Sequence, residues 1–400
     1  MSLPDVTKTS YDDNLREITN TLLNRAGNYD QSGLFPHDNF DLIVQHGLNK
    51  ITIPEEYGGW GFGFEKTSEA IITLASGCPS TALCLSMHYY TVAGLSKLLS
   101  KEQKQSLFKN IIEKGQFVTS FNQPNVSIVH ANQDLSNSTE ITITKVNGGY
   151  TVNGLKKYVS GITRFNYLPI FGNQIGIEKS RYGVTAMLAL IDDPGVRIKE
   201  SWDFSALKST LSHDVIFEDV FISNDRLIGR EGFGIEDTPS LVYWSRLAIS
   251  SVYLGIAKAA LDYITKVIKE KKDKISRKTI AFLPGTQFAL SDIKIKYDAA
   301  ESQLMMFAKQ ADQETIAGRY TDQLFQKALM TKYFVSHSCN EIVWQAMQIE
   351  GMNSLFKGNQ LERLYRDVRA ATFHQPNDDL IKEILAKKAL GLIVPKNRWL

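Results

Sequence analysis

Hydrophobic positions along this chain keep one period, change to another, and then change back. Up to about residue 115 they fall three and four apart. Leu15, Ile18, Leu22 and Leu23 share one helix face in DDNLREITNTLLNRA, and FEKTSEAIITLAS and TALCLSMHYYTVAGLSKLL read as two more apolar helices. The Pro/Gly region IPEEYGGWGFGF follows the first of these. Its Gly59, Gly61 and Gly63 do not give GxGxxG, and no strand-turn-helix frame surrounds them, so no phosphate loop is read there.

From about 116 to 225 the period is two. EITITKV, NGG and YTVNGLKKYVSG form strand, Asn-Gly turn and strand, a hairpin signal. GVTAMLALIDD, GVRIKE and HDVIFEDVFI add further strands, which predicts an antiparallel β-barrel or sandwich. From about 226 the helical period returns in PSLVYWSRLAISSVYLGIAKAALDYITKVIKEKK, where Ser251, Gly255 and Ala259 fall four apart and open a face for close helix approach. TQFALSDIKIKYDAAESQLMMFAKQADQ and DQLFQKALMTKYFVSHSCNEIVWQAMQIEG are two more long helices, the second stopping at Gly351. The expected fold is therefore α+β in three parts: a helical domain over 1–115, a β domain over 116–225, and a helical bundle of four or more helices over 226–400.

Composition narrows the classes. Four hundred residues exceed one simple core, and 43% hydrophobic with 22% charged content is ordinary for a globular chain. A net charge of +2 gives no case for nucleic-acid binding. No apolar run approaches a membrane span, and MSLPDVTKTSYDDN has no signal-peptide pattern, so a cytoplasmic protein with no membrane partner is expected. Cys78, Cys84 and Cys339 form no CxxC, which argues against a disulfide framework and against a metal site.

Five local motifs stand in a fixed order: IPEEYGG at 53–59, VNGLKKYVSG at 152–161, DVIFEDVFI at 214–222, then QIEG and LERLYRDVR. With the helix–sheet–bundle order, they resemble the acyl-CoA dehydrogenase flavoproteins across almost the whole length. That resemblance implies FAD, or FMN as the alternative, held between β domain and bundle. It also implies a homotetramer in which a neighbouring subunit touches the cofactor. Tyr158, Val159 and Ser160 would lie against the flavin ring, and Asn122 would face its pyrimidine side through the backbone. Gln348 and Gly351 would contact the ADP part, with Asn377 close by. The family's phosphate-side run is here NQPNVSIV, where only the Pro and Ser127 survive. Its Arg-x-x-Phe-Gly element is blurred, with Arg277 or Lys278 near the expected place and no Phe-Gly pair.

The same resemblance exposes a gap. The family's catalytic Glu falls nine residues after the Arg of the Arg-Asp pair, which here is Gln375; the alternative slot on the bundle helix is Ser245. Removing a proton alpha to a thioester needs a base with a pKa near working pH; an amide accepts no proton there, and a serine needs its own base. His374, beside Gln375, and His88 in LSMHYYTV are the remaining candidates. His88, Ser160 and His374 together are similar to another branch of the fold, the two-component monooxygenases that take reduced flavin from a separate reductase and oxygenate aromatic or heterocyclic molecules.

Three functions follow. One is α,β-dehydrogenation of an acyl-CoA-like thioester, as in fatty acid metabolism, with an atypical base and an electron-transfer protein as partner. The second is reduced-flavin-dependent monooxygenation, and the third a non-catalytic flavin- or acyl-binding paralogue. Lys156, Lys157 and Arg164 could meet CoA phosphates or simply form a solvated hairpin edge. Tyr89, Tyr90, Trp244 and Phe373 could line an aromatic pocket or belong to the core.

Overall fold

The computed structural model describes residues 8–122, 139–177 and 183–392. Five helices come first: α1 (Lys8–Ser32), α2 (His37–Gln45), α3 (Phe64–Gly77), α4 (Pro79–Leu98) and α5 (Lys101–Lys114). Local chemistry sets their ends. Pro79 opens α4, where a missing N–H costs nothing. Ser100 and Gln103 exchange hydrogen bonds in a capping box at the start of α5, and Gly115 ends it in the left-handed region.

The middle of the chain forms β1 (Ile141–Val146), β2 (Gly149–Val159), β3 (Tyr167–Gln174), β4 (Val184–Leu190), β5 (Val196–Lys199), β6 (His213–Ser223) and β7 (Leu227–Ile228). They make one sheet in the order β5-β6-β2-β1-β3-β4-β7. The hairpin turn at 147–148 sets β1 against β2, with Val146 opposite Gly149. Two expectations are corrected here. The sheet is open, with β5 and β7 at its edges, instead of a barrel or sandwich, and β1 runs parallel to β3, so it is mixed instead of antiparallel. The period-two reading also passes over β3, because every residue of that strand is buried and no polar face alternates. The sheet can stay open because one face closes its own small core around Ile143, Val152, Val215 and Phe217, while Tyr167, Phe171, Val184 and Ala186 join the core of the helices.

The chain then forms α6 (Leu241–Glu270), α7 (Pro284–Ile316), α8 (Asp322–Glu350), α9 (Gln360–Arg369) and α10 (Asp378–Ala389). Among the described residues α6 is long and apolar enough to cross a membrane, which the reading of apolar runs did not anticipate; 83% of its apolar window is buried inside the protein. It is the central helix of the bundle. Its small face meets α3: a Cβ at Gly255 would stand 2.5 Å from Ala75 Cβ, and the hydroxyls of Ser251 and Ser68 lie 2.7 Å apart. Asp312 of α7 reaches back to accept the N–H groups of Phe64 (2.7 Å) and Glu65 (3.0 Å) at the start of α3. First and last helical blocks therefore share one continuous core.

Candidate active site

The loop from α9 to α10 carries FHQPN, and the basic run before it is an anchor. Arg366 holds Asp30 of α1 through two hydrogen bonds (2.9 and 2.6 Å) and Glu362 on its own helix. Asp367 is buried, accepts the N–H of Leu207 at 2.6 Å, and has its pKa pushed up to about 6 by that burial. Arg369 donates to Asn340 Oδ1 (2.8 Å), whose amide donates to the Val368 carbonyl (3.1 Å). Ser336 donates to the Ala371 carbonyl at 3.2 Å. Asn377 accepts the N–H of Leu380 at 3.2 Å as the cap of α10, so its side chain has a structural task. Gln375 and Pro376 are joined by a cis peptide bond.

Within this frame His374 turns toward α6. Its Nδ1 lies 3.3 Å from the Tyr253 hydroxyl, and the two rings meet edge to face with centroids 5.6 Å apart. Burial, and then the charge of Lys332, lower the His374 pKa to about 4, so the ring is a neutral imidazole at neutral pH. A Tyr253 O–H donating into Nδ1 leaves the ring proton on Nε2. No protein group among the described residues bonds Nε2. Gln375 is exposed, and its side-chain oxygen accepts the Asn377 N–H at 3.3 Å. Ser245 donates to the Val242 carbonyl at 3.3 Å. Neither expected base position offers a carboxylate.

His88 leaves the list of proton carriers. It is fully buried on α4, with Nε2 donating to the Asn49 carbonyl at 2.7 Å and Nδ1 accepting the Val118 N–H at 3.1 Å. Both nitrogens are used, and burial lowers its pKa to about 4. The expected aromatic pocket dissolves similarly. Tyr89 lies in the core, Trp244 stacks on Phe64 at 3.8 Å, and Phe373 is 74% exposed. Tyr90, also buried, donates to Asn122 Oδ1 at 2.7 Å and so fixes a predicted cofactor residue. Lys156 folds inward onto the Ser120 and Pro169 carbonyls (both 2.6 Å), and burial lowers its pKa to about 7. Lys157 pairs with Glu140 at 2.6 Å, and Arg164 lies over Phe117 with Asp41 at 3.7 Å. All three cations are engaged within the protein.

A second group forms where β2 ends. A register shift between Lys156 and Val159 turns Tyr158 outward at φ +56, a conformation that costs a bulky residue strain. Its ring is 59% exposed and meets Trp202 and Phe204 edge-on, and those two stack at 3.9 Å. Val159 is buried in the sheet core. Ser160 shares a hydrogen bond with Ser212 (2.8 Å), Ser212 with Thr210 (2.8 Å), and Thr210 donates to the Leu207 carbonyl (2.9 Å). Since Leu207 also donates to Asp367, one hydrogen-bonded path joins the Arg-Asp motif to Ser160.

A third group is a groove of about 430 Å³ between the start of α7 and the end of α8, lined by Gly285, Thr286, Asp292, Gln345 and Gln348. Gly351, at φ +79 with open space around it, ends α8 close by in sequence. Arg277 sits on the exposed turn before α7 and is not among the lining residues. Ser127 lies outside the described residues. The exposed aromatic ledge at Tyr158 suits a planar ring system, and the glycine-flanked polar groove suits an extended polar ligand. The residues present therefore fit a flavin. Tyr253, Lys332, Trp202 and Phe204 escaped the sequence reading. Tyr253 and Lys332 carry no motif on their long helices, and the Trp-x-Phe spacing was the one signal for the ledge.

Comparison with known proteins agrees with this arrangement. Residues 8–114 match the acyl-CoA dehydrogenase N-terminal domain and residues 247–379 its C-terminal domain. The chain belongs to the acyl-CoA dehydrogenase family and is a flavin-dependent oxidoreductase. It is 27% identical to acryloyl-CoA reductase (NADH) of Anaerotignum propionicum, over 91% of this chain and 89% of that one. Two solved structures share its fold with a TM-score of 0.84. One is FMN-bound TdsC, a dibenzothiophene monooxygenase from Paenibacillus sp. A11-2, at 21% identity over 97% of this chain and 98% of that one. The other is butyryl-CoA dehydrogenase from Megasphaera elsdenii, at 19% identity over 98% of this chain and 99% of that one.

Proposed function

We propose that the protein is a monooxygenase of this family, working with reduced FAD or FMN delivered by a separate reductase and acting on an aromatic or heterocyclic small molecule. The observation that carries this reading is the pair at 374 and 375: an amide where the family's base is expected, beside an imidazole held neutral. A group with a pKa of about 4 is a poor base for an α-proton at neutral pH. A neutral imidazole with Nδ1 on Tyr253 and a proton on Nε2 can donate a hydrogen bond from Nε2 to an oxygen that develops charge in the site.

The flavin, when bound, supplies the electrons and the reaction with oxygen. The chain supplies the placement. Tyr158, Trp202 and Phe204 give the flat apolar surface, the hydroxyl chain ending at Ser160 offers a polar contact at the ring, and Gln348 with Gly351 serves the extended polar part from a second copy in an oligomer. The alternative is acyl-CoA dehydrogenation or reduction, favoured by the likeness to acryloyl-CoA reductase, with an electron-transfer protein as partner.

The deciding experiment loads the purified protein with FAD or FMN, reduces it anaerobically, and mixes it with oxygen. A slow return of the oxidised spectrum through a long-lived intervening band supports oxygenation. Immediate return, together with bleaching of the oxidised protein by members of an acyl-CoA panel, sinks this reading in favour of dehydrogenation.

A further inference from the structure

Ser160 ends a row of hydroxyls, and the row has a direction. Each Ser or Thr hydroxyl carries one proton and two lone pairs. Thr210 Oγ1 lies 2.9 Å from the Leu207 carbonyl, which can only accept, so the Thr210 proton is spent there. The Ser212 hydroxyl, 2.8 Å from Thr210 Oγ1, then donates to it. Ser160, 2.8 Å from Ser212, donates in its turn. The Ser160 proton therefore points inward along the row, and its other side offers lone pairs alone.

The turn that starts the row is held firmly. Leu207 at φ +51 and Leu211 at φ +39 stand in the left-handed region, where a bulky side chain is strained. With Tyr158, three of the five such non-glycine residues among the described residues belong to this corner, so strain is concentrated here and needs support from outside. Asp367 accepts the Leu207 N–H (2.6 Å), and Ser209 donates to the Tyr29 carbonyl (2.8 Å). The Thr210 carbonyl accepts the Gly161 N–H (2.9 Å) and the Cys84 thiol (3.6 Å). Ser160, Thr210 and Ser212 are all buried, and turning the row round would give up the Thr210–Leu207 hydrogen bond in that setting.

We propose that Thr210 and Ser212 are positioning residues that set the redox preference of the flavin site: they make Ser160 an acceptor toward the ring and so favour reduced over oxidised flavin. This rests on the reading that places Ser160 against the ring, with N5 as the ring atom it meets. Oxidised flavin has a bare acceptor nitrogen at N5, and reduced flavin carries an N–H there. An acceptor hydroxyl satisfies the reduced ring and sets lone pair against lone pair on the oxidised one. To donate to oxidised flavin, Ser160 first has to break or reverse the row. A site selects one form of a ligand only through such a difference in affinity.

The test measures the two-electron midpoint potential of flavin bound to the full-length protein against that of free flavin, since the difference gives the ratio of affinities for the two forms. The wild type is expected to lie above free flavin, and a value below it overturns the proposal. Thr210→Val keeps the shape and loses the donor to Leu207. It should shrink the reduced-over-oxidised ratio about five- to tenfold, a fall of roughly 20 to 30 mV, and Thr210→Ser should restore it. An unmoved potential in folded Thr210→Val overturns the proposal, even where flavin binds more weakly. Should that variant fail to fold, Ser212→Ala decides by the same fall, and an unmoved potential there is equally fatal. Ser160→Ala separates the two readings: wild-type potential and wild-type flavin affinity together would mean that Ser160 does not touch the ring, and the placement itself falls. Oxygen and substrate are absent throughout, so the result is independent of whether the protein oxygenates anything.

Discussion

His88 and His374 are held at the same acidity, about 4, by the same first cause, burial, and they do opposite things. His88 spends both nitrogens on backbone groups of segments outside its own helix, Asn49 and Val118, and so pins the entry to the β domain against the first helical block. His374 spends one nitrogen on a side chain, the Tyr253 hydroxyl, and keeps the other for whatever enters the site. A lowered pKa therefore says only that a ring is enclosed. The hydrogen-bond inventory decides whether the ring is a brace or a reagent.

Substitution separates the two. The largest effect is expected at the reagent: His374→Ala should lower turnover about a thousandfold with flavin binding retained. A similar loss per folded molecule in His88→Ala would break the contrast. The brace should show itself in stability. His88→Ala leaves the Val118 N–H and the Asn49 carbonyl without partners and opens a void, at a cost of about 3 to 4 kcal/mol in urea unfolding.

The pH dependence sharpens the same point. An imidazole with a lower pKa folded than unfolded binds fewer protons in the native state, so its contribution is complete above the ordinary value of 6.5 and is lost as pH falls toward 4. For His88 this amounts to about 3 kcal/mol between those limits, and His88→Gln should flatten the wild-type slope by about that much. An equal slope in both proteins would show that His88 is not the titrating brace. The smallest effect is expected for Tyr253→Phe. Loss of the hydroxyl on Nδ1 should slow turnover about five- to tenfold with under about 1 kcal/mol of stability lost, measured by steady-state rates beside thermal melts.

Some of this was legible in the chain. The missing carboxylate is a matter of counting, and the small face of α6 follows from Ser251, Gly255 and Ala259 alone. His374 was read from its place in a motif, and Tyr158 and Ser160 from a hairpin. Other features were hidden for stated reasons. β3 has no alternation because both its faces are covered, and a parallel β1–β3 pair leaves no mark on period two. His88 read as either a packed core residue or a proton carrier, because an apolar helix gives no hint that a carbonyl and an amide from elsewhere will meet its ring. The run LERLYRDVR reads as a motif, and nothing in its spacing shows that Arg366 and Arg369 are held by Asp30, Glu362 and Asn340.

By itself the sequence determined what repeats locally or is fixed by residue chemistry: the helical and strand periods, the turn at 147–148, the amide at 375 and the imidazole beside it. Tertiary structure alone decided which groups share a dry interior. An imidazole takes its protonation state and its free nitrogen from a partner more than a hundred residues away, and a lysine on a long helix becomes a buried ammonium without a hydrogen bond among the described residues only once other helices have closed over it.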